Sequence, residues 1–194
     1  MTHDTMGPSD FGGSGEFDSQ DAAVFAVLSE CWSRPTESIV EIVNTGKLQG
    51  IVPDVEDVTL EDLRAEYTRL LLGPDPDQVP PYESVYRNRD PDEEFGPVRG
   101  ASTEAVRKWY RTHGVAIADD NPEMPDHIAT ELEFAAYLAD NNELEACEQF
   151  LDEHPRQWTG EFLSAVSERT RSPFYESLAA ATERALSVEL TGTE

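Results

Sequence analysis

Apolar residues recur at helical spacing along most of the chain, which predicts a series of amphipathic helices. The segments with this period are 21–32, 39–45, 60–72, 103–113, 126–140, 144–151, 158–166 and 173–185. No segment shows the alternating pattern of a strand. The sequence therefore predicts a single all-α domain of roughly eight or nine helices.

Several of these segments carry their own start and stop signals. Thr59-Leu-Glu-Asp62 has the form of a capping box, and Gly73-Pro74 ends the helix that follows it. Ser172-Pro173 combines a cap with a proline at the first helical position. In the fifth segment, Pro125 suits the first helical position and Asp126 places a carboxylate against the first-turn amides. We therefore expect that helix to start at about Pro125.

The helix from 126 to 140 carries polar residues inside its apolar face. Its apolar arc contains Ile128, Leu132 and Phe134, whereas Glu133 falls on the other side. His127 and Glu131 lie within the apolar arc and are four residues apart, so they are neighbours on one face. If that face is buried, each is expected to satisfy the other's hydrogen-bonding groups.

A proline-rich segment from 73 to 101 separates two of the predicted helices. It contains six prolines, yet it also carries aromatic residues such as Tyr82, Tyr86 and Phe95, which solvated linkers rarely have. A long loop with its own apolar anchors usually folds over a core or shapes a site. We interpret it as a lid or a groove wall.

The chain divides into a tail and one domain. Residues 1–19 are rich in Gly, Ser and Asp and have little to bury, so they are expected to form a disordered acidic tail. Residues 20–190 form the predicted all-helical domain, because a chain of 194 residues suffices for one well-filled core.

The charge is strongly acidic, with 40 acidic against 14 basic residues and a formal charge of −26. Such a surface, with only two lysines, resembles proteins adapted to a high-salt cytoplasm, where carboxylate repulsion is screened. The alternative is that the acidic surface recruits a basic partner. Nucleic-acid binding through a basic patch is disfavoured.

Cysteine use and hydropathy indicate the cellular compartment. Cys31 and Cys147 stand far apart without a metal-binding pattern, so both are expected to be buried thiols, and no metal or cofactor is predicted. The absence of a long apolar run or a leader-like start argues against membrane insertion and secretion. The sequence predicts a cytoplasmic protein.

Four segments resemble the signature segments of the TorD/DmsD/NarJ family of molybdoenzyme maturation chaperones. The segments are Tyr67-Thr-Arg-Leu-Leu-Leu-Gly-Pro74, Pro80-Pro-Tyr-Glu-Ser-Val-Tyr86, Met124-Pro-Asp-His127 with Glu131-Leu132, and Ser172-Pro-Phe-Tyr175. They occur in the family's order between about Asp21 and Leu186. One departure is Leu71, near which the family commonly has an aromatic residue.

The resemblance implies an all-helical chaperone without catalysis of its own. Its expected partners are the twin-arginine signal peptide and the apo catalytic subunit of a molybdopterin oxidoreductase, with the cofactor-insertion machinery as a further partner. The chaperone would assist cofactor insertion and delay export. The client would resemble dimethyl sulfoxide or trimethylamine N-oxide reductase, and the alternative client is nitrate reductase or another molybdoenzyme.

The client-binding residues carried over or inferred from this resemblance cluster in two stretches. A signal peptide brings an arginine pair followed by an apolar stretch, so its receptor needs an apolar groove flanked by carboxylates. The candidates for the apolar wall are Leu70, Leu71, Tyr82 and Tyr86, those for the acidic rim are Glu83, Glu123 and Asp126, and Pro81 and His127 complete the set.

Other interpretations of the same residues remain open at this level. Tyr82 and Tyr86 are equally suited to anchoring the loop. Asp126 and His127 have the chemistry of a hydrolase acid/base pair, but no nucleophile motif or phosphate-binding loop accompanies them. A general acidic helical adaptor is the remaining alternative.

Overall fold

The computed structural model describes residues 5–6, 20–48, 50–52, 55, 57–117 and 124–190. Nine α-helices occur within these ranges. They are α1 (Gln20–Trp32), α2 (Glu37–Asn44), α3 (Leu60–Tyr67), α4 (Glu83–Arg87), α5 (Ala101–Thr112), α6 (Ile128–Asp140), α7 (Leu144–Glu153), α8 (Pro155–Arg169) and α9 (Pro173–Ser187). The predicted all-α fold is confirmed.

Three features of the described chain differ from the sequence prediction. The helix α3 continues as a π-helical segment, Thr68–Leu72, which ends where the amide of Gly73 bonds the carbonyl of Thr68 at 2.6 Å. The short helix α4 lies inside the proline-rich loop and was not predicted. Two two-residue strands, β1 (Thr5–Met6) and β2 (Ala116–Ile117), pair in parallel. Apart from Thr5–Met6, the predicted tail 1–19 lies outside the described residues.

The helix α6 occupies the centre of the domain and packs against α1, α7 and α8. Every residue from Ile128 to Ala136 is buried, including Thr130 and Glu133 on the side expected to face solvent. The prediction of an ordinary amphipathic helix is therefore wrong for α6. A helix that is buried all round forms the core of its domain rather than one side of it.

Helices α1, α8 and α9 close the core around Trp32. The indole N–H of Trp32 donates to the hydroxyl of Thr182 at 2.9 Å, and its ring lies 5.1 Å from that of Phe162. Trp158, Phe162 and Tyr175 are buried, and both free cysteines are buried as predicted. Trp109 is only half-buried. Among the described residues, no helix has the length and apolarity that a membrane span requires.

The predicted starts of α3 and α9 are found, but only Thr59 caps its helix through the side chain, since the Ser172 hydroxyl forms no capping hydrogen bond. The hydroxyl of Thr59 accepts the amide of Asp62 at 3.1 Å and donates to its carboxylate at 2.7 Å, which fixes the start of α3. Pro173 occupies the first turn of α9, and the carbonyl of Ser172 accepts the amide of Glu176.

Hydrogen bonds at four points fix the proline-rich loop, two of them to the rest of the domain and two within the loop itself. The amide of Val79 bonds the carbonyl of Leu70 at 2.6 Å, and that of Gly96 bonds Val85 at 2.8 Å. Near Tyr82 the chain pairs with the residues before α6, and the amide of Arg99 donates to the hydroxyl of Ser84. This loop is therefore a layer of the domain that contains its own helix, α4.

Candidate functional site

Two of the segments singled out in the sequence meet in an antiparallel bridge. Tyr82 and His127 are paired, with the amide of Glu83 bonded to the carbonyl of Asp126 at 2.9 Å and the amide of Ile128 bonded to Pro81 at 3.0 Å. The rings of Tyr82 and His127 approach edge to face, with centroids 5.2 Å apart. The bridge joins the start of α4 to the start of α6.

Asp126 caps a helix, but the helix is α4 rather than its own. Its Oδ2 accepts the amide of Ser84 at 3.0 Å, and its carbonyl accepts that of Glu83, so it satisfies two first-turn amides of α4 that have no acceptor within the helix. The prediction that α6 begins at Pro125 is wrong. Residues 124–127 instead form a turn, closed by a bond from the His127 amide to Met124 at 3.0 Å, and the helix begins at Ile128.

His127 is the N-cap residue of α6. Its Nδ1 accepts the amide of Ala129 at 3.1 Å, which requires that Nδ1 carries no proton. Burial lowers the pKa of His127 to about 3, because the charged imidazolium would lose its hydration. The imidazole is therefore a neutral cap at physiological pH.

Glu131 forms its contacts with α4 and α8, and the expected pairing with His127 is wrong. Its Oε2 accepts the indole N–H of Trp158 at 3.0 Å, and it also hydrogen-bonds Glu83. Glu83 in turn accepts from Nδ1 of His154 at 2.9 Å and from the guanidinium of Arg87. Both glutamates have 0 % exposure. A buried polar network thus ties α4 to α6, α7 and α8.

The pKa values of the two glutamates shift in opposite directions. Burial, the charge of Glu83 and the hydrogen bond to Glu83 raise the pKa of Glu131 well above its ordinary value. Burial alone would also raise the pKa of Glu83, but hydrogen bonds from His154 and Glu131 and the charge of His154 lower it overall. Two like charges side by side in a buried site disfavour each other. Glu131 therefore favours the protonated form and Glu83 the ionised form.

Most of the predicted client-binding residues are buried. Leu70, Leu71, Pro81, Glu83, Tyr86, Asp126 and His127 all lie in the interior, whereas Tyr82 is half-exposed. Glu83 and Asp126 have 0 % exposure, so they do not form the predicted acidic rim in this structure. The third rim candidate, Glu123, lies outside the described residues. Tyr82 is the one member of the described set that is not fully buried.

Tyr86 anchors the loop, which was one of its two interpretations. Its ring stacks on Trp158 with centroids 5.3 Å apart, and Phe95 meets it edge-on at 5.8 Å. Leu70 anchors the other end of the loop, through its carbonyl bond to Val79. The sequence signal for these anchors was the presence of aromatic residues in a proline-rich segment.

The residues missed by the sequence analysis are the partners of Glu83 and Glu131. His154 contacts Glu83 and Trp158 contacts Glu131 across distant parts of the chain, so no local sequence pattern indicates these pairs. Asp126 and His127 cap helices and are buried, which leaves no open face for a hydrolase acid/base pair. No cluster of three metal-ligating side chains occurs among the described residues.

The fold and site place the protein in the class of redox enzyme maturation folds. A solved structure from Archaeoglobus fulgidus, described as a redox enzyme maturation protein, superposes with a TM-score of 0.64 at 26% identity. The match covers 90% of this chain and 98% of that one.

The chain belongs to the nitrate reductase delta subunit family, whose model matches residues 36–164. It is 34% identical to the Tat proofreading chaperone DmsD of Salmonella typhimurium, over 61% of this chain and 55% of that protein. It is 31% identical to the chaperone protein YcdY of Escherichia coli, over 75% of this chain and 78% of the relative. The chaperone protein TorD of Vibrio cholerae is 32% identical over 71% of this chain and 60% of that one. The resemblance to the TorD/DmsD/NarJ family is confirmed.

Proposed function

We propose that this protein is a non-enzymatic chaperone that binds the twin-arginine signal peptide and apo form of a molybdenum-cofactor oxidoreductase in the cytoplasm. It would hold the catalytic subunit back from export while the cofactor is inserted. The family, and the chaperone function of the DmsD and TorD relatives, support the chaperone class.

The observation that carries the proposal is the Tyr82–His127 bridge. It brings the two signature segments that the family resemblance assigns to client binding into one place, although they are far apart in the sequence. Tyr82 presents a half-exposed aromatic ring at this junction, and aromatic side chains supply large contact area with few rotatable bonds. The bridge therefore supports a peptide-binding point centred on Tyr82.

The buried candidates act on the peptide through Tyr82 in this proposal. Asp126 fixes the start of α4, His127 packs against the tyrosine ring, and the Glu83 network holds α4 on the core. A rigid platform lowers the entropy that the receptor loses on binding. Leu70 and Leu71 hold the preceding part of the loop in the same way.

The test is a binding titration with a labelled synthetic signal peptide and the full chain. Replacing Tyr82 by alanine is expected to weaken binding by at least about tenfold, the usual effect of removing an aromatic anchor. The matched control is Tyr137→Ala, because Tyr137 is also half-buried but lies at the far end of α6. Equal affinity of Tyr82→Ala and the wild type would contradict the proposal.

A second peptide tests the arginine requirement. Replacing its two arginines by lysines keeps the charge but removes the planar guanidinium, which stacks on an aromatic ring such as that of Tyr82. We expect weaker binding of the lysine peptide to the wild type. Equal binding of both peptides would mean that only the apolar stretch of the signal peptide is recognised.

The identity of the client requires an unbiased experiment. We propose a dimethyl sulfoxide or trimethylamine N-oxide reductase type of subunit, since the relatives include DmsD and TorD. A pull-down at molar salt with mass spectrometry of the bound subunit distinguishes this client from a nitrate reductase. Recovery of no oxidoreductase precursor would favour a general adaptor instead.

A further inference from the structure

A cleft of about 700 Å³ lies between the end of α4, α5 and the end of α7. Its walls include Arg87, Lys108, Trp109, Glu153 and His154, none of which belongs to the client-binding set. We call it the α5 cleft. Its volume lies in the range of pockets that hold ligands or short peptide segments.

Two cations line the α5 cleft with unused donors. Arg87 uses Nη1 for Glu83 and for the carbonyl of Glu153, whereas its Nε and Nη2 bond no described residue. The ammonium of Lys108 forms no ion pair with any carboxylate in the described ranges, although its charge reaches Glu153. Both side chains are exposed. Each can therefore accept an anionic partner without losing an existing ion pair.

The acid in the cleft, Glu153, already accepts two hydrogen bonds from neutral donors. The carboxylate of Glu153 accepts the amide of Gln149 at 2.8 Å and the indole N–H of Trp109 at 3.0 Å. The hydrogen bond from Gln149 is the main cause that lowers the pKa of Glu153, so the group stays ionised and held to the wall. The cationic donors that line the cleft and bond no described residue belong to Arg87 and Lys108.

This arrangement is unusual for the chain as a whole. The protein carries a formal charge of −26 and only two lysines, Lys47 and Lys108, one of which lines this cleft. A pair of available cations beside polar amide and hydroxyl groups is complementary to carboxylates. A nucleic acid would bring a continuous row of phosphates, which the surrounding carboxylates repel. A short peptide brings only a few negative charges.

We propose that the α5 cleft binds an acidic segment of a protein partner, with Arg87 and Lys108 each bonding a carboxylate. The site is separate from the Tyr82 junction and does not depend on the proposed signal-peptide activity. The α5 cleft is then a second docking point, which binds an acidic segment, whereas the signal peptide proposed for the Tyr82 junction carries two arginines.

The experiment uses the full chain and a fluorescein-labelled peptide that carries one Asp and one Glu among neutral residues, followed by fluorescence anisotropy. Lys108→Glu is expected to weaken binding by about tenfold or more at low salt, since a charge-assisted contact becomes a repulsion. The control is Lys47→Glu, which makes the same charge change in the exposed turn that follows α2. That variant should stay within about twofold of the wild type, because screening limits long-range effects.

Three outcomes would overturn the proposal. The first is equal weakening by both lysine variants, which would show only a general charge effect. The second is equal binding of a matched Asn and Gln peptide. The third is equal competition by inorganic phosphate at matched ionic strength, which would indicate a simple anion site. Binding of the twin-arginine peptide by Lys108→Glu should be unchanged, so failure here is distinguishable from failure of the proposed function.

Discussion

Replacing His127 by asparagine should flatten the dependence of stability on pH between 7 and 5. Burial lowers the pKa of His127 to about 3 in the folded protein, against an ordinary value of 6.5. The unfolded chain therefore takes up a proton at pH values where the folded chain does not. Stability from this residue is fully present above 6.5 and is lost as the pH falls from 6.5 towards 3.

The magnitude follows from the pKa difference. At pH 5 the unfolded histidine is 1.5 pH units below its ordinary pKa of 6.5, and each unit corresponds to 1.36 kcal/mol. The wild type should therefore lose about 2 kcal/mol of unfolding free energy through His127 between pH 7 and pH 5. Because pH 5 still lies above the folded-state pKa, this loss is set by the unfolded state alone.

The assay is urea unfolding at several pH values and fixed ionic strength, followed by circular dichroism. Asparagine is a good N-cap residue and can still accept the amide of Ala129, but it does not titrate. The difference in slope between wild type and variant isolates His127, because all other groups titrate in both proteins. Phe134→Leu, a non-titrating change in the same helix, controls for general destabilisation. Parallel slopes for His127→Asn and the wild type would refute the reasoning.

Substitutions at three further positions test the polar centre, the core and the loop. Glu131→Gln should lower the unfolding free energy by no more than about 1 kcal/mol at neutral pH, because the amide can donate to Glu83. Glu131→Ala should lower it by about 3 kcal/mol, measured by urea unfolding. The raised pKa of Glu131 makes the wild type less stable as the pH rises above 4.5. The unfolding free energy of the glutamine variant should therefore rise relative to that of the wild type from pH 5 to pH 8. Trp32→Phe removes the donor to Thr182 and should lower the unfolding free energy by about 1 to 3 kcal/mol, and an unchanged urea midpoint would contradict this. Gly96→Ala places a Cβ 2.8 Å from backbone atoms of the loop, so limited proteolysis should cut the loop faster than in the wild type.

The helices could be predicted from sequence because their signals are local. A capping box at Thr59 and a cap followed by proline at Ser172 specify starts within a few residues. The helix α4 gives no such signal, since it has only five residues and no side-chain cap of its own. Its first turn is satisfied by Asp126, which lies 42 residues from Ser84. Such a helix forms only when the rest of the fold supplies its acceptors.

The same limit applies to the candidate site. The spacing of His127 and Glu131 on one helical face was visible in the sequence, but spacing cannot say which of several buried donors each will meet. Glu131 bonds Trp158 and Glu83, which belong to two other helices. Burial was equally hidden, because an acid at a helix start usually lies at the surface. Asp126 therefore looked like part of a rim.

The two proposed binding points should respond to salt in opposite directions. Contact at Tyr82 depends on burying an aromatic ring and the apolar part of a signal peptide, and excluded salts strengthen such burial. Contact at the α5 cleft depends on Arg87 and Lys108, whose attraction to carboxylates weakens as the screening length falls from about 10 Å at 0.1 M to about 3 Å at 1 M. In a salt series, the affinity for the signal peptide should therefore rise while the affinity for the acidic peptide falls. A parallel fall of both would mean that the Tyr82 junction is also governed by ionic contacts, which its buried carboxylates do not favour.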